Sequence, residues 1–295
     1  MNGQDAIRKL GNLRNNQRVR KGMFVLPSLF TVGNIAAGYY AITQTLVYSG
    51  RTEDPRLDFA AKAIGLAILL DGFDGRIARA TNTGTAFGKE LDSLADAIAF
   101  GVAPAMLAYV WGFRYIQDPL NDITDTNPDF ISKLVQFGAI LTFLFLVAGV
   151  SRLARFNITV NPQPSNPGRP DRKYFVGMAI PAGAGVIASI VHFLKGQPIN
   201  EWYWSVAWGV LLFFIGYLMV STWRYPSFKE FTLMNQKNFR AIILVAAIIT
   251  GIYFFSGPVL LILGLGYAFS GIYMRMQYWV RRPSAKPPKS KTQVQ

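Results

Sequence analysis

The stretch Leu70-Asp71-Gly72-Phe73-Asp74-Gly75-Arg76-Ile77-Ala78-Arg79, followed after a small polar turn by Gly88-Lys89-Glu90-Leu91-Asp92-Ser93-Leu94-Ala95-Asp96, sets four aspartates at the junction of two apolar segments. A charged side chain near the centre of a bilayer costs about 2.5 kcal/mol or more, so this concentration demands a chemical reason. Asp71 and Asp74 stand three residues apart, with Gly75, Ala78 and Arg79 continuing their face, and Asp92 and Asp96 stand four apart on the next segment. Both spacings align side chains along one face of a helix. The turn Asn82-Thr83-Gly84-Thr85 is short, so the two helices are expected to be antiparallel neighbours. Four carboxylates then converge, and their repulsion is severe unless cations lie between them.

The surrounding chain reads as a membrane protein. Of 295 residues 51% are hydrophobic, the mean hydropathy is +0.25, and the apolar residues gather into blocks of about 20 separated by short charged stretches. The expected fold is all-α, a polytopic transmembrane helical bundle of about eight spans at 24–49, 59–79, 91–113, 131–154, 174–194, 202–222, 240–256 and 258–279. Ser256-Gly257-Pro258 marks a tight turn between the last two, which could also be one long kinked helix. Residues 1–23 are a basic segment, either an interfacial helix with Ile7, Leu10 and Leu13 on one face or a plain tail. They lack the apolar stretch and cleavage site of a signal peptide. Residues 24–282 form one transmembrane domain, and the Pro/Lys-rich 283–295 form a disordered basic tail.

The net charge of +14 is unevenly placed. In an eight-span topology 24 of the 30 basic residues fall on the side of the two tails and six on the other, which also holds Glu53, Asp54, Asp58, Asp118, Asp122, Asp125, Asp129 and Glu201. The basic side faces the cytoplasm, and with it the aspartates. The basic runs are attracted to anionic membrane lipids; no nucleic-acid motif accompanies them, so no nucleic-acid partner is expected.

With no cysteine, the anionic metal ligands are carboxylates, and oxygen-only ligands favour one or two Mg²⁺ or Mn²⁺ ions. Paired hard cations suit phosphoryl chemistry, in which they neutralise phosphate oxygens and orient an in-line displacement. Gly75 and Gly88 allow a phosphate to approach the backbone, and Arg79 offers it a planar donor fork. A merely structural pairing of the acids with Arg76, Arg79 and Lys89 would explain one pair but not four. A cation-transport site is the reading from another class, but such sites sit near the bilayer midplane, whereas these acids lie toward one face.

The pattern Asp71-x2-Asp74-Gly75-x2-Ala78-Arg79-x8-Gly88-x3-Asp92-x3-Asp96 resembles the full signature of the CDP-alcohol phosphotransferase family. The resemblance implies transfer of a phosphatidyl or similar group from a CDP-linked lipid or alcohol to a hydroxyl, with release of CMP and dependence on Mg²⁺ or Mn²⁺, by two ions. It further implies Asp71, Asp74 and Asp92 as metal ligands, Asp96 as both ligand and base, and Gly75, Arg79 and Thr85 as holding the CDP portion.

Four further stretches are similar to the membrane-type phosphatidylserine synthases of that family: Pro27 to Asn34, Arg152-Leu153-Ala154-Arg155-Phe156-Asn157, Phe175 to Ala184, and Arg224-Tyr225-Pro226-Ser227-Phe228-Lys229. That likeness implies CDP-diacylglycerol and L-serine as substrates, a homodimer, and the inner membrane of a bacterium with the site facing the cytoplasm. Serine carries a carboxylate, so a cation is expected near the metals, Arg155 or Arg152. Asn34 and Thr31, one turn apart, could read the nucleotide or join helices. Met178-Ala179-Ile180 departs from the usual pattern, and a sister enzyme using glycerol phosphate, inositol phosphate or choline would share the aspartates. His192, the single histidine, is expected in an interfacial or capping role away from the cluster, and Trp202, Tyr203 and Trp204 mark an outer boundary. The glycines at 177, 183, 185, 264, 266 and 271 permit close helix packing.

Overall fold

The computed structural model describes residues 29–51, 53–81, 86–116, 128–158, 174–226 and 239–280. The basic segment at 1–23, the tail at 283–295 and the turn with Thr85 lie outside the described residues. The fold is helical: α1 spans 29–47, α2 Arg56–Thr81, α3 runs from Ala86 to Arg114, α4 spans Pro128–Ile158, α5 Ile180–Phe193, α6 Trp202–Val220, and α7 Phe239–Val280. Among the described residues, four stretches are long and apolar enough to cross a membrane: Phe87–Arg114, Asp129–Ile158, Trp202–Val220 and Ile243–Gln277. Large apolar side chains such as Phe143, Val210, Phe213 and Ile262 stand 60–70% exposed on these helices, as expected where lipid rather than water covers them.

α7 is two limbs. Phe255 leaves helical geometry at φ −138°, ψ 56°, and Pro258 follows, as the Ser256-Gly257-Pro258 signal anticipates. In a straight helix residues 251 and 259 would lie about 12 Å apart along the axis. Here a Cβ on Gly251 would sit 3.3 Å from the Val259 side chain, so the chain bends back on itself. The second limb then runs antiparallel to α5: Gly257 abuts Phe193, Gly264 abuts Ser189 and Val186, and Gly271 receives Tyr225. These glycines serve packing within the chain.

The start of α5 differs from the sequence expectation of helix from 174. Tyr174–Val176 is a short strand, β1, paired antiparallel with β2, Arg224–Pro226, with Phe175 opposite Tyr225. Gly177 follows at φ +77°, where a Cβ would meet the Met219 carbonyl oxygen at 2.5 Å, and Pro181 occupies the first turn of the helix. A helix cannot pass a left-handed residue, so it starts at Ile180. The resulting 14-residue helix is about 21 Å long. It is buried along its length, from Ile180 through Gly183, Val186 and Ile187 to Val191, and packs between α2 and α7 as the hub of the bundle.

α3 also departs from a regular helix. Ala97–Val102 and Val110–Arg114 are wide π-type turns, the first beginning immediately after Asp96. Such turns re-aim the side chains that follow them and recur at functional sites. In the first, Ala99 takes α1 at close range: a Cβ on Gly38 would lie 2.8 Å from the Ala99 Cα.

Candidate active site

Asp71 comes from α2, and Asp92 and Asp96 from successive turns of α3. One carboxylate oxygen from each lies within 4.8 Å of the others, so three of the four expected acids converge. For Asp74, Gly75 and Arg79 the structure describes only the helical backbone of α2. Three hard oxygen donors at this separation, in a chain without thiolates, fit Mg²⁺ or Mn²⁺ better than a softer metal.

The acids are held from several sides. Asn34 of α1, 1% exposed, donates from Nδ2 to Asp96 Oδ1 at 3.4 Å. Its Oδ1 is buried and meets no hydrogen-bond partner among the described residues. Thr31, one turn earlier, is buried as well. Near Asp92, the Asn157 amide of α4 donates to Ser93 Oγ at 2.7 Å and fastens α4 to α3.

The two arginines of α4 meet different surroundings. Arg155 donates from Nη1 to the Val220 carbonyl at 3.2 Å and from Nη2 to the Val176 carbonyl at 3.5 Å, stitching the end of α6 to β1. Orphan carbonyls at a helix C-terminus call for such a donor. Arg152 is 9% exposed, its guanidinium 5.7 Å from the Phe156 ring, and it lies within electrostatic range of Asp96 and Tyr267. Tyr267, on the second limb of α7, sets its ring 5.5 Å from that of Tyr225, tilted by 34°. Tyr225 is fully buried with a hydroxyl that meets no partner among the described residues. Tyr267 carried no signal in the sequence beyond being a polar aromatic in an apolar helix, and Tyr225 is recognisable only as part of Arg224 to Lys229.

His192 stands apart. Its Nδ1 pairs with Asp58 Oδ1 at 2.5 Å and its Nε2 with Ser256 Oγ at 2.8 Å, while Lys62 pairs with Asp58 Oδ2 at 2.8 Å. It bridges the start of α2, the end of α5 and the bend of α7, rather than capping one helix. Asp58 precedes Asp71 by 13 residues of one helix, about 20 Å.

The arrangement is three convergent carboxylates, a buried cation and buried unpaired polar atoms at one end of a helical bundle. It can hold hard dications, bind an anionic group and accept a proton.

A family model described as CDP-alcohol phosphatidyltransferase matches residues 24–216. The CDP-diacylglycerol–serine O-phosphatidyltransferase of Helicobacter pylori is 34% identical over 234 residues, 77% of this chain and 82% of that protein. The protein of the same name from Mycobacterium leprae is 32% identical over 251 residues, 84% of this chain and 73% of that one. The one from Saccharomyces cerevisiae is 32% identical over 165 residues, 56% and 52% of the two chains.

Proposed function

The chain belongs to the CDP-alcohol phosphatidyltransferase family, and on that footing we propose that it transfers the phosphatidyl group of CDP-diacylglycerol to the hydroxyl of L-serine and releases CMP. The convergence of Asp71, Asp92 and Asp96 carries the chemistry, and relatives named for the serine reaction, aligned over most of their length, favour serine as acceptor. Asp71, Asp92 and Asp96, with Asp74, hold two Mg²⁺ or Mn²⁺ ions. Bound there, the ions offset charge on the phosphate oxygens and ease ionisation of the acceptor hydroxyl.

The rest falls to the chain itself. Asn34 holds one oxygen of Asp96, leaving the other to accept the hydroxyl proton. The serine oxygen then bonds to the lipid-linked phosphorus, the bond from that phosphorus to the oxygen of CMP breaks, and the CMP leaves with the electron pair. Gly75, Arg79 and Thr85 hold the CDP portion. No covalent enzyme intermediate is required.

The chain crosses the membrane eight times, the two limbs of α7 counting separately, as a single domain between a basic N-terminal segment and a basic tail. Both termini and the aspartates face the cytoplasm of a bacterium, and the protein works as a homodimer in the inner membrane. The basic bias of the loops supports this orientation.

The test is CMP release from CDP-diacylglycerol by purified protein in detergent with Mg²⁺ or Mn²⁺, with and without L-serine, beside Asp96→Asn. Serine-dependent release that the substitution abolishes is expected. Release supported only by glycerol phosphate, inositol phosphate or choline would make the chain a sister enzyme. No release with any acceptor, together with metal uptake into liposomes, would replace the reading with transport.

A further inference from the structure

α1 and α2 run antiparallel: a Cβ on Gly33 would lie 3.3 Å from the Leu70 side chain at one end, and Arg56 donates to the Val47 carbonyl at the other. Small residues between membrane helices usually let them close on one another. Here Gly33, Ala36 and Ala37 of α1 and Ala63 of α2 instead line a groove of about 400 Å³, a volume within the range of ligand sites. Leu66 lines it nearer the acids, and Tyr40, Phe59 and Lys62 line it at the far end. The groove begins beside the candidate active site, since Gly33 precedes Asn34, whose amide is bonded to Asp96. Leu66 precedes Asp71 by five residues of one helix, about 7–8 Å, and Lys62 by nine, about 13–14 Å.

Apart from the Tyr40 hydroxyl and the Lys62 ammonium, the side chains lining the groove are hydrocarbon, which suits an alkyl chain. A free lipid gains little there, because bilayer hydrocarbon is as apolar as the groove itself. A chain tethered to a phosphate held among Asp71, Asp92 and Asp96 is delivered to the near end at high effective concentration. Lys62 closes the far end. It lies in the second turn of α2, among apolar residues, where a charge needs a partner. Its ammonium meets Asp58 Oδ2 at 2.8 Å, Asp58 in turn is held by His192, and the Phe59 ring centre lies 5.6 Å from the ammonium. The aliphatic stem thus lines the groove while the charged head is anchored beyond it. An alkyl chain that reaches the head must strip water from an ammonium whose side chain is 53% exposed, or turn aside into the bilayer, and both cost free energy.

We propose that this groove takes one acyl chain of the donor lipid and that Lys62, anchored by Asp58, sets the length of chain it accepts. The assignment rests on the phosphatidyltransferase reading above and adds to it a selection among CDP-diacylglycerols. A chain that ends short of Lys62 lies wholly within the groove, and a longer one meets the ammonium.

The experiment measures serine-dependent CMP release at saturating L-serine from CDP-diacylglycerols with identical saturated chains, the dibutyryl, dimyristoyl, dipalmitoyl, distearoyl and diarachidoyl donors, in mixed micelles with kcat/KM expressed per mole fraction. In the unaltered protein kcat/KM should pass through a maximum and fall roughly 10-fold from the best donor to the longest, the low end of the penalty for an oversized group in an apolar pocket. Lys62→Ala opens the far end and should bring that ratio to within about twofold. Ala36→Phe fills the groove from an exposed position and should lower the ratio of dipalmitoyl to dibutyryl donor by roughly 10-fold. Gly65→Ala, whose methyl meets nothing within 4 Å, should keep both ratios. Equal kcat/KM for the dimyristoyl through diarachidoyl donors in the unaltered protein would overturn the proposal whether or not any variant folds. So would a Lys62→Ala protein with the unaltered chain-length profile, or an Ala36→Phe protein that keeps the unaltered ratio. Absence of release from every donor, the dibutyryl one included, would instead remove the phosphatidyltransferase reading and the proposal with it.

Discussion

Gly38→Ala is the substitution that most directly tests the link between helix packing and the site. Gly38 lies one helical turn beyond Asn34 on α1, and it meets α3 at Ala99, three residues beyond Asp96. The added methyl would sit 2.8 Å from the Ala99 Cα and 3.0 Å from its Cβ, where ordinary contact begins at 3.4 Å. Backbone cannot swing aside like a flexible side chain, so α1 and α3 must part by about 0.6 Å, the difference between 3.4 and 2.8 Å. The Asn34 to Asp96 hydrogen bond already stands at 3.4 Å, at the limit of a useful bond, and the same displacement breaks it. Overpacking of this kind costs about 1–3 kcal/mol. Misplacing a catalytic group by a fraction of an ångström lowers turnover by roughly 10- to 100-fold. The assay is the initial rate of CMP release at saturating CDP-diacylglycerol and L-serine, per unit of monodisperse protein, with the thermal midpoint recorded beside it. Gly65→Ala is the matched control: nothing lies within 4 Å of its new methyl, and both rate and midpoint should hold. A Gly38→Ala protein with unaltered turnover would refute the claim that this contact sets the geometry of Asp96.

Other substitutions separate the chemistry from the scaffold. Asp71→Asn and Asp92→Asn should each lower turnover by roughly 10³-fold and weaken Mn²⁺ binding measured by calorimetry without substrate, and chelation of the unaltered protein should do the same reversibly. Retained Mn²⁺ affinity in either variant would count against the three-carboxylate site. His192→Phe removes the bridge to Asp58 and Ser256, which should destabilise the fold by about 2–4 kcal/mol and lower the thermal midpoint. The protein that remains folded should turn over normally, since the bridge is about 20 Å from Asp71 along α2; a slowed chemical step would show that the two ends are coupled. Gly177→Ala forces a side chain onto φ +77° and against the Met219 and Ser221 carbonyls, so a loss of about 1–3 kcal/mol and displacement of Arg155 are expected, read by thermal midpoint and protease sensitivity.

The aspartates were legible because their spacing is a property of helices alone. Three and four residues apart are neighbours on any helix, and a short turn leaves two helices little choice but to run side by side. The bend of α7 was legible for the same reason, since Ser256-Gly257-Pro258 is a local signal. What escaped the sequence depends on distant partners. The apolar pattern from Phe175 onward reads as continuous helix, yet β1 forms there because Arg224–Pro226, some fifty residues later, offers a strand edge. Apolar periodicity also cannot show the wide turn after Asp96, whose residues Ala97 to Val102 suit an ordinary helix equally well.

The two arginines of α4 show how far such reading extends. Arg152 and Arg155 are three apart, share a helix face and obey the same basic bias of cytoplasmic ends, so no local rule separates them. The separation comes from α6, whose last carbonyls need a donor, and from Gly177, whose turn brings the Val176 carbonyl to the same guanidinium. Arg155 thereby helps hold the end of α6 against β1. Arg152, one turn nearer Asp96 and buried by the same packing, is left with a charge and no hydrogen-bonding acceptor among the described residues. The bundle sets one arginine against its own backbone and keeps the next largely desolvated within electrostatic range of Asp96, which offsets part of the cost of burying that charge. The different surroundings of Arg155 and Arg152 are consequences of one packing arrangement.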